Sequence, residues 1–218
     1  MPTGGEEKAR RRRRRAMHTA DGGGQRVSIE EDIIAQERDV LDTLLMDYVR
    51  ERRILIDEDI TPDMLRTVII PLLSMDEDED EAPIDIYLST NGGEASTALA
   101  ICEVIDRLRC PTVIHIIGCA YSGGLLIAAA GKNNPNVRKV AYPGTEFMYH
   151  RLSGTVEGTM TRMEVEYDRS RRMQKRLDAY ILKSSDIGEK TLHRHRDADW
   201  FFGAEEALNM GIIDEILS

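Results

Sequence analysis

Little in this sequence invites a membrane, a metal centre or an oxidising compartment. No stretch approaches the roughly 18 consecutive apolar residues of a bilayer-crossing helix, and the opening MPTGGEEKARRRRRR has no apolar segment of the kind a secretory leader carries. Cysteine is scarce: Cys102, Cys110 and Cys119 are odd in number and lack metal-ligand spacing. They read as buried, reduced thiols, and the expected location is cytoplasmic. Aromatics make up 5% of the chain against 41% hydrophobic residues, so the core of this 218-residue chain is expected to be aliphatic and large enough for one substantial domain. Positive charge is in deficit, with a net charge of -10, which argues against nucleic acid as a partner of the body. Neither a G-x-G-x-x-G fingerprint nor a Walker loop is present, so no nucleotide or other cofactor is expected in this chain.

What charge there is comes in blocks. Arg10–Arg15 are consecutive arginines and Asp76–Glu81 consecutive acids. Like-charge runs of this length are expected to stay solvated and to carry no specific chemistry. With its glycines and few apolar residues, the segment 1–27 reads as a disordered basic tail, and 28–218 as the folded domain.

Within that domain, apolar periodicity predicts a helix over 29–49 and a short strand in RILIDEDI (Arg53–Ile60). Next comes a helix opened by Thr61 as N-cap, Pro62 and Asp63, with Met64, Leu65, Val68, Ile69, Leu72 and Leu73 on one face. IDIYLST (Ile84–Thr90) and TVIHIIG (Thr112–Gly118) read as buried strands, each feeding a glycine turn and a helix; KVAYPG and EFMYH read as further strands. A long charged helix is expected from Met160 to Ser184, with an apolar stripe through Met163, Tyr167, Met173, Leu177 and Ile181. Strands alternating with helices define an α/β fold built on a repeated strand–turn–helix unit.

One hydroxyl stands out. In GCAYSGGLLIAAAG (Gly118–Gly131), Ser122 interrupts an apolar stretch at the point where strand gives way to helix. Backbone N–H groups at a helix start would surround it, and Gly123 leaves room for a carbonyl to approach the chain. A structural serine on a tight turn is the alternative. As a nucleophile Ser122 needs a base and a group to orient that base. His150, at the end of EFMYH, is the candidate base. His18 lies in the tail, His115 is in mid-strand, and His193 with His195 forms an H-x-H pair lacking a third ligand. Asp197 and Asp199, in HRDADWFFGAEEA, are both candidates for the orienting acid, and spacing alone does not choose between them.

Taken together, IDIYLSTNGGEASTALAICEVID, GCAYSGG, FMYH and RDADWFFGAEEALNMGIIDEI resemble, in that order, segments of the proteolytic subunit of the Clp protease (the ClpP family) over roughly residues 50–217. The resemblance implies the ClpP/crotonase-like fold with a protruding handle helix. It implies Ser122 as nucleophile, His150 as general base, Asp199 as its orienter, and the backbone N–H groups of Gly93 and Gly123 as the oxyanion hole. It further implies an endopeptidase enclosed by two stacked homo-oligomeric rings of seven. Such a particle cleaves peptides and, with a Clp-type AAA+ unfoldase that consumes the ATP, unfolded proteins. Departures from the family pattern are Thr90-Asn91 before the glycine pair, Tyr121 and Gly123 flanking the serine, and Trp200 after the acid. Bulky Tyr121 is a candidate to narrow or reshape the site, and the sequence leaves its effect open. Other readings are a phage head-maturation peptidase with the same triad, a catalytically inactive ring subunit, and a crotonase-type acyl-CoA enzyme.

Overall fold

The computed structural model describes residues 43–78, 82–195 and 197–218. The expected tail, and most of the helix predicted over 29–49, lie outside the described residues; 43–50 are helical (α1). Tyr48–Ser218 form one compact body.

Its frame is a parallel sheet in the order β1-β2-β3-β4-β7, from β1 (Arg53–Ile56), β2 (Ile84–Thr90), β3 (Thr112–Tyr121), β4 (Val137–Ala141) and β7 (Glu215–Ile216). Helices α3 (Ala95–Ile105) and α4 (Gly123–Ala128) link successive parallel strands. The ten-residue β3 is longer than its neighbours. Thr112–Ile116 pair with β4, while Cys119–Tyr121 pair with a further strand, β5 (Glu146–Tyr149). β5 continues antiparallel into β6 (Trp200–Gly203). Thus β3 joins the parallel frame to the small β5–β6 part of one seven-stranded sheet.

Both central strands alternate. Ile84, Ile86, Leu88 and Thr90 of β2, and Thr112, Ile114, Ile116 and Ala120 of β3, are buried, while the residues between them are half-exposed, apart from exposed Ile117 and Gly118. The sequence reading took both as buried strands, and one face of each is. The second face instead carries a polar cluster in which His115 stacks on Tyr87 at 4.8 Å and bonds Asp85 at 2.8 Å.

The segment after β1 also departs from expectation. The Thr61 side chain caps nothing; the Thr61 carbonyl accepts the Met64 N–H at 3.1 Å. Leu65–Ile69 then form a π-helical turn, in which the Ile70 N–H reaches back to the Leu65 carbonyl, before α2 (Ile70–Glu77). The cause is Pro71. Having no N–H, it cannot bond the Thr67 carbonyl, and its ring crowds that carbonyl; widening the preceding turn by one residue relieves the conflict. The shift in phase leaves Leu65 and Leu73 of the predicted face exposed and brings in Met75.

The acidic block is likewise not wholly solvated. The Asp76 carboxylate accepts the N–H groups of Arg109 and Cys110 at 2.7 and 2.9 Å. Burial works against its charge, but these donors and the Arg109 guanidinium outweigh burial and hold its pKa below the usual carboxylate range. Arg52, at φ 60°, bonds Asp78 and the Met75 carbonyl.

The long helix is α5 (Met160–Lys183), capped by Thr159, whose hydroxyl accepts the Arg162 N–H. The chain then runs through α6 (Glu189–Arg194) to β6 and α7 (Ala204–Asn209). Only the second half of α5 lies on the body. Ile181 is fully buried, and Met173 and Leu177 pack against the core. Tyr180 and Lys183 bond Asp106 at the end of α3. The first half leaves Met160, Val165 and Tyr167 more than half exposed. Near the C-terminus, buried Lys139 of β4 lies 3.3 Å from Asp214, whose carboxylate also accepts the Lys139 N–H.

Candidate active site

Strand register brings the three sequence candidates to one place. In the β3–β5 pairing Tyr121 stands opposite Met148, and in the β5–β6 pairing Tyr149 stands opposite Trp200. Ser122 is the residue after Tyr121, His150 the residue after Tyr149, and Asp199 the residue before Trp200. All three therefore leave the small sheet at the same edge.

The distances follow from this. His150 Nε2 is 2.8 Å from Ser122 Oγ. On the other side of the ring, His150 Nδ1 is 3.6 Å from Asp199 Oδ1, within ion-pair reach and just beyond a hydrogen bond. His150 is largely sheltered, its side chain 28% exposed, whereas Asp199 is 58% exposed.

The turn that presents Ser122 is strained. Its backbone sits at φ 52°, ψ -114°, a region L-residues rarely occupy. The Ser122 N–H donates to the Met148 carbonyl at 2.9 Å, and α4 starts at the next residue. Strain of this kind, on a strand-to-helix turn, exposes a side-chain oxygen above the sheet.

Two glycine segments meet there. A Cβ on Gly92 (φ 98°) would sit 2.7 Å from the Cβ of Ser122, and one on Gly93 (φ 148°) would sit 2.3 Å from the Ile60 carbonyl oxygen. Both positions therefore require glycine. The Gly93 nitrogen lies 3.8 Å from where a Cβ on Gly123 would stand, so the two backbones named as oxyanion donors run side by side next to Ser122. Being the first residue of α4, Gly123 has no carbonyl within the helix for its N–H.

A cavity of about 220 Å³ opens over Ser122, lined by Asn91, Gly93, Gly123, His150 and apolar Leu126, Leu152 and Leu177, among others. Tyr121 is not part of its wall, which settles against narrowing of this cavity by its side chain. Its hydroxyl donates to Glu146 at 2.5 Å and its ring meets Phe201 edge-on, so it turns away from the cavity. The Glu146 bond, with burial, pushes the Tyr121 pKa up to about 12. Trp200 stacks on His195 at 4.1 Å. Among the described residues no group of three His, Cys, Asp or Glu side chains is placed to hold a metal ion, and no helix is long and apolar enough to cross a membrane.

Two polar residues of α5, buried Gln174 and half-buried Asp178, also approach the site and escaped the sequence reading. The available signal was their i, i+4 spacing beside Met173 and Leu177, which turns them towards the body.

The fold is that of a Clp-type protease subunit, and comparison with known proteins agrees. The Clp protease family profile matches residues 35–218, and the chain belongs to that family. Relatives include an ATP-dependent Clp protease proteolytic subunit 2 from Chlamydia trachomatis serovar D. It is 29% identical over 170 residues, covering 78% of this chain and 82% of the relative. The protein of the same name from Prochlorococcus marinus (strain MIT 9312) is 27% identical over 169 residues, covering 77% and 82%.

Proposed function

We propose that this Clp-type protease subunit is a serine endopeptidase in which Ser122 attacks the peptide carbonyl, His150 acts as general base and then general acid, and Asp199 orients His150. The observation that carries this reading is the 2.8 Å approach of His150 Nε2 to Ser122 Oγ, with Asp199 facing the opposite ring nitrogen.

In the first half-reaction His150 Nε2 takes the Ser122 proton as Oγ bonds to the carbonyl carbon. The oxyanion that forms is stabilised by the N–H groups of Gly93 and Gly123. His150 then passes its proton to the leaving amine, giving an acyl-Ser122 intermediate. Water repeats the sequence and releases the acid. Losing one oxyanion donor typically costs about a hundredfold or more in rate. Contacts such as that between His150 and Asp199 commonly shorten once substrate is bound.

The subunit works in a closed homo-oligomeric chamber of stacked rings, supported by the exposed apolar side chains of the first half of α5. A Clp-type unfoldase supplies unfolded protein and consumes the ATP, because this chain has no nucleotide-binding glycine loop. The relatives' ATP-dependence supports that division of labour. The working compartment is the cytoplasm. A short fluorogenic peptide tests the chemistry: turnover should fall about a thousandfold or more in Ser122→Ala and in His150→Ala. Full turnover in Ser122→Ala would remove the serine mechanism.

A further inference from the structure

Three hydrogen bonds tie α5 to the backbone on both sides of His150. The Leu152 N–H donates to Gln174 Oε1 at 2.7 Å. The Gln174 amide donates to Asp178 Oδ1 at 2.6 Å, and the Tyr149 hydroxyl donates to the same oxygen at 2.8 Å. Tyr149 is the residue before His150; Leu152 is two residues after it. Gln174 and Asp178 are one helical turn apart on the same face of α5, with Leu177, which lines the Ser122 cavity, beside them.

Gln174 is 6% exposed and Tyr149 5%. Burying an amide and a phenol is costly unless their polar atoms are matched, and here each is. Burial, reinforced by the Asp178 carboxylate, pushes the Tyr149 pKa upward, so the hydroxyl remains a donor at any physiological pH. The amide orientation is fixed as well. Its oxygen must face the Leu152 N–H and its nitrogen the carboxylate, since the reverse would set acceptor against acceptor.

His150 stands at the end of a strand, where the chain enters the exposed run Arg151–Met160, so besides its ring contacts to Ser122 and Asp199 its backbone needs support. The second half of α5 is anchored to Asp106 and the core, and so makes a rigid post. Resting on the serine mechanism proposed above, we infer that Gln174 and Asp178 are positioning residues: they clamp the backbone flanking His150 to α5 and thereby hold its imidazole at bonding distance from Ser122.

The test uses the full chain and two readouts. One is amide hydrogen exchange of the peptide containing Leu152. The other is the second-order rate at which a fluorophosphonate probe modifies Ser122, with sedimentation velocity run on each variant. Gln174→Met keeps the bulk of the side chain and removes its acceptor. Exchange at Leu152 should accelerate and the labelling rate should fall about tenfold to a hundredfold, the cost of displacing a catalytic group by up to about an ångström. Tyr149→Phe and Asp178→Leu should lower the rate similarly. Asp178→Asn, which keeps an acceptor oxygen for both donors, should stay near the unmodified protein. Each effect should appear with the sedimentation profile unchanged. Unaltered exchange at Leu152 in Gln174→Met overturns the clamp. Faster exchange with an unaltered labelling rate overturns its role in positioning His150 and leaves the Ser122 mechanism intact. Loss of labelling only where the particle falls apart would mean that α5 acts through assembly alone, and would also overturn the inference. If the probe never modifies Ser122 even in the unsubstituted chain, the serine mechanism itself fails, and the clamp's catalytic role with it.

Discussion

Ser122 is held in its uncommon backbone conformation by its surroundings: the chain at Gly92 passes so close that a Cβ there would stand 2.7 Å from the Ser122 Cβ, the Ser122 N–H is held by Met148, and α4 starts immediately after it. Gly93 is the most exacting neighbour. In Gly93→Ala the methyl group would strike the Ile60 carbonyl from a positive φ, a strain of about 1–3 kcal/mol. The Asn91–Glu94 turn would shift to relieve it, so that both thermal stability and peptide turnover should fall. Full turnover in a normally folded Gly93→Ala would separate this turn from the chemistry. The choice of acid is testable as sharply. Asp199→Asn should lower kcat by up to about ten-thousandfold, by leaving His150 in the wrong tautomer, while Asp197→Asn should have little effect; steady-state kinetics with the opposite ranking would transfer the role to Asp197. Spacing did not separate these two acids, because that requires knowing the β5–β6 register, and register depends on pairing between segments some 50 residues apart in the chain.

Among the elements, β2, β3 and the helices after them were legible because apolar alternation and glycine pairs mark a strand, a turn and a helix start. The π turn was not. Its cause, Pro71, lies inside an otherwise regular helical pattern, and the consequence is a phase shift of one residue upstream, which periodicity averages away. The cap of α3 was also hidden. Glu94 accepts the N–H groups of Ser96 and Thr97 and both their hydroxyls. Burial alone would raise its carboxyl, but these donors prevail and bring its pKa down to about 2. A carboxylate with a pKa lowered by folding stabilises above its unfolded value and loses that contribution as it protonates. Glu94→Gln should therefore lower stability at neutral pH by about 1 kcal/mol. The deficit should shrink as pH falls from the ordinary Glu value of 4.5 towards 2. Denaturant midpoints at pH 7 and pH 3 measure this, and a deficit constant with pH would contradict it.

For the whole molecule, the decisive feature is how α5 divides its apolar side chains. The sequence suggested one stripe from Met163 to Ile181, but Ile181 belongs to the body's own core and Leu177 packs against it. Changing those two would damage the fold before it damaged assembly. The side chains left uncovered are Met160, Val165 and Tyr167, on the half of the helix that is not anchored to Asp106. A helix of 24 residues is about 36 Å long, and its free half is long enough to reach a second copy. Val165→Asp together with Tyr167→Asp should convert a large particle in sedimentation velocity into smaller species without lowering the melting temperature of the body, whereas an unchanged particle would show that these residues lie outside the contact. A chamber matters only if it encloses a working nucleophile, and covalent capture tests that most directly. After treatment of the intact assembly with a fluorophosphonate or β-lactone probe, peptide mapping by mass spectrometry should find one adduct per chain, on Ser122, and none in His150→Ala treated for the same time. An adduct on another residue, or undiminished labelling of the His150→Ala protein, would contradict the account.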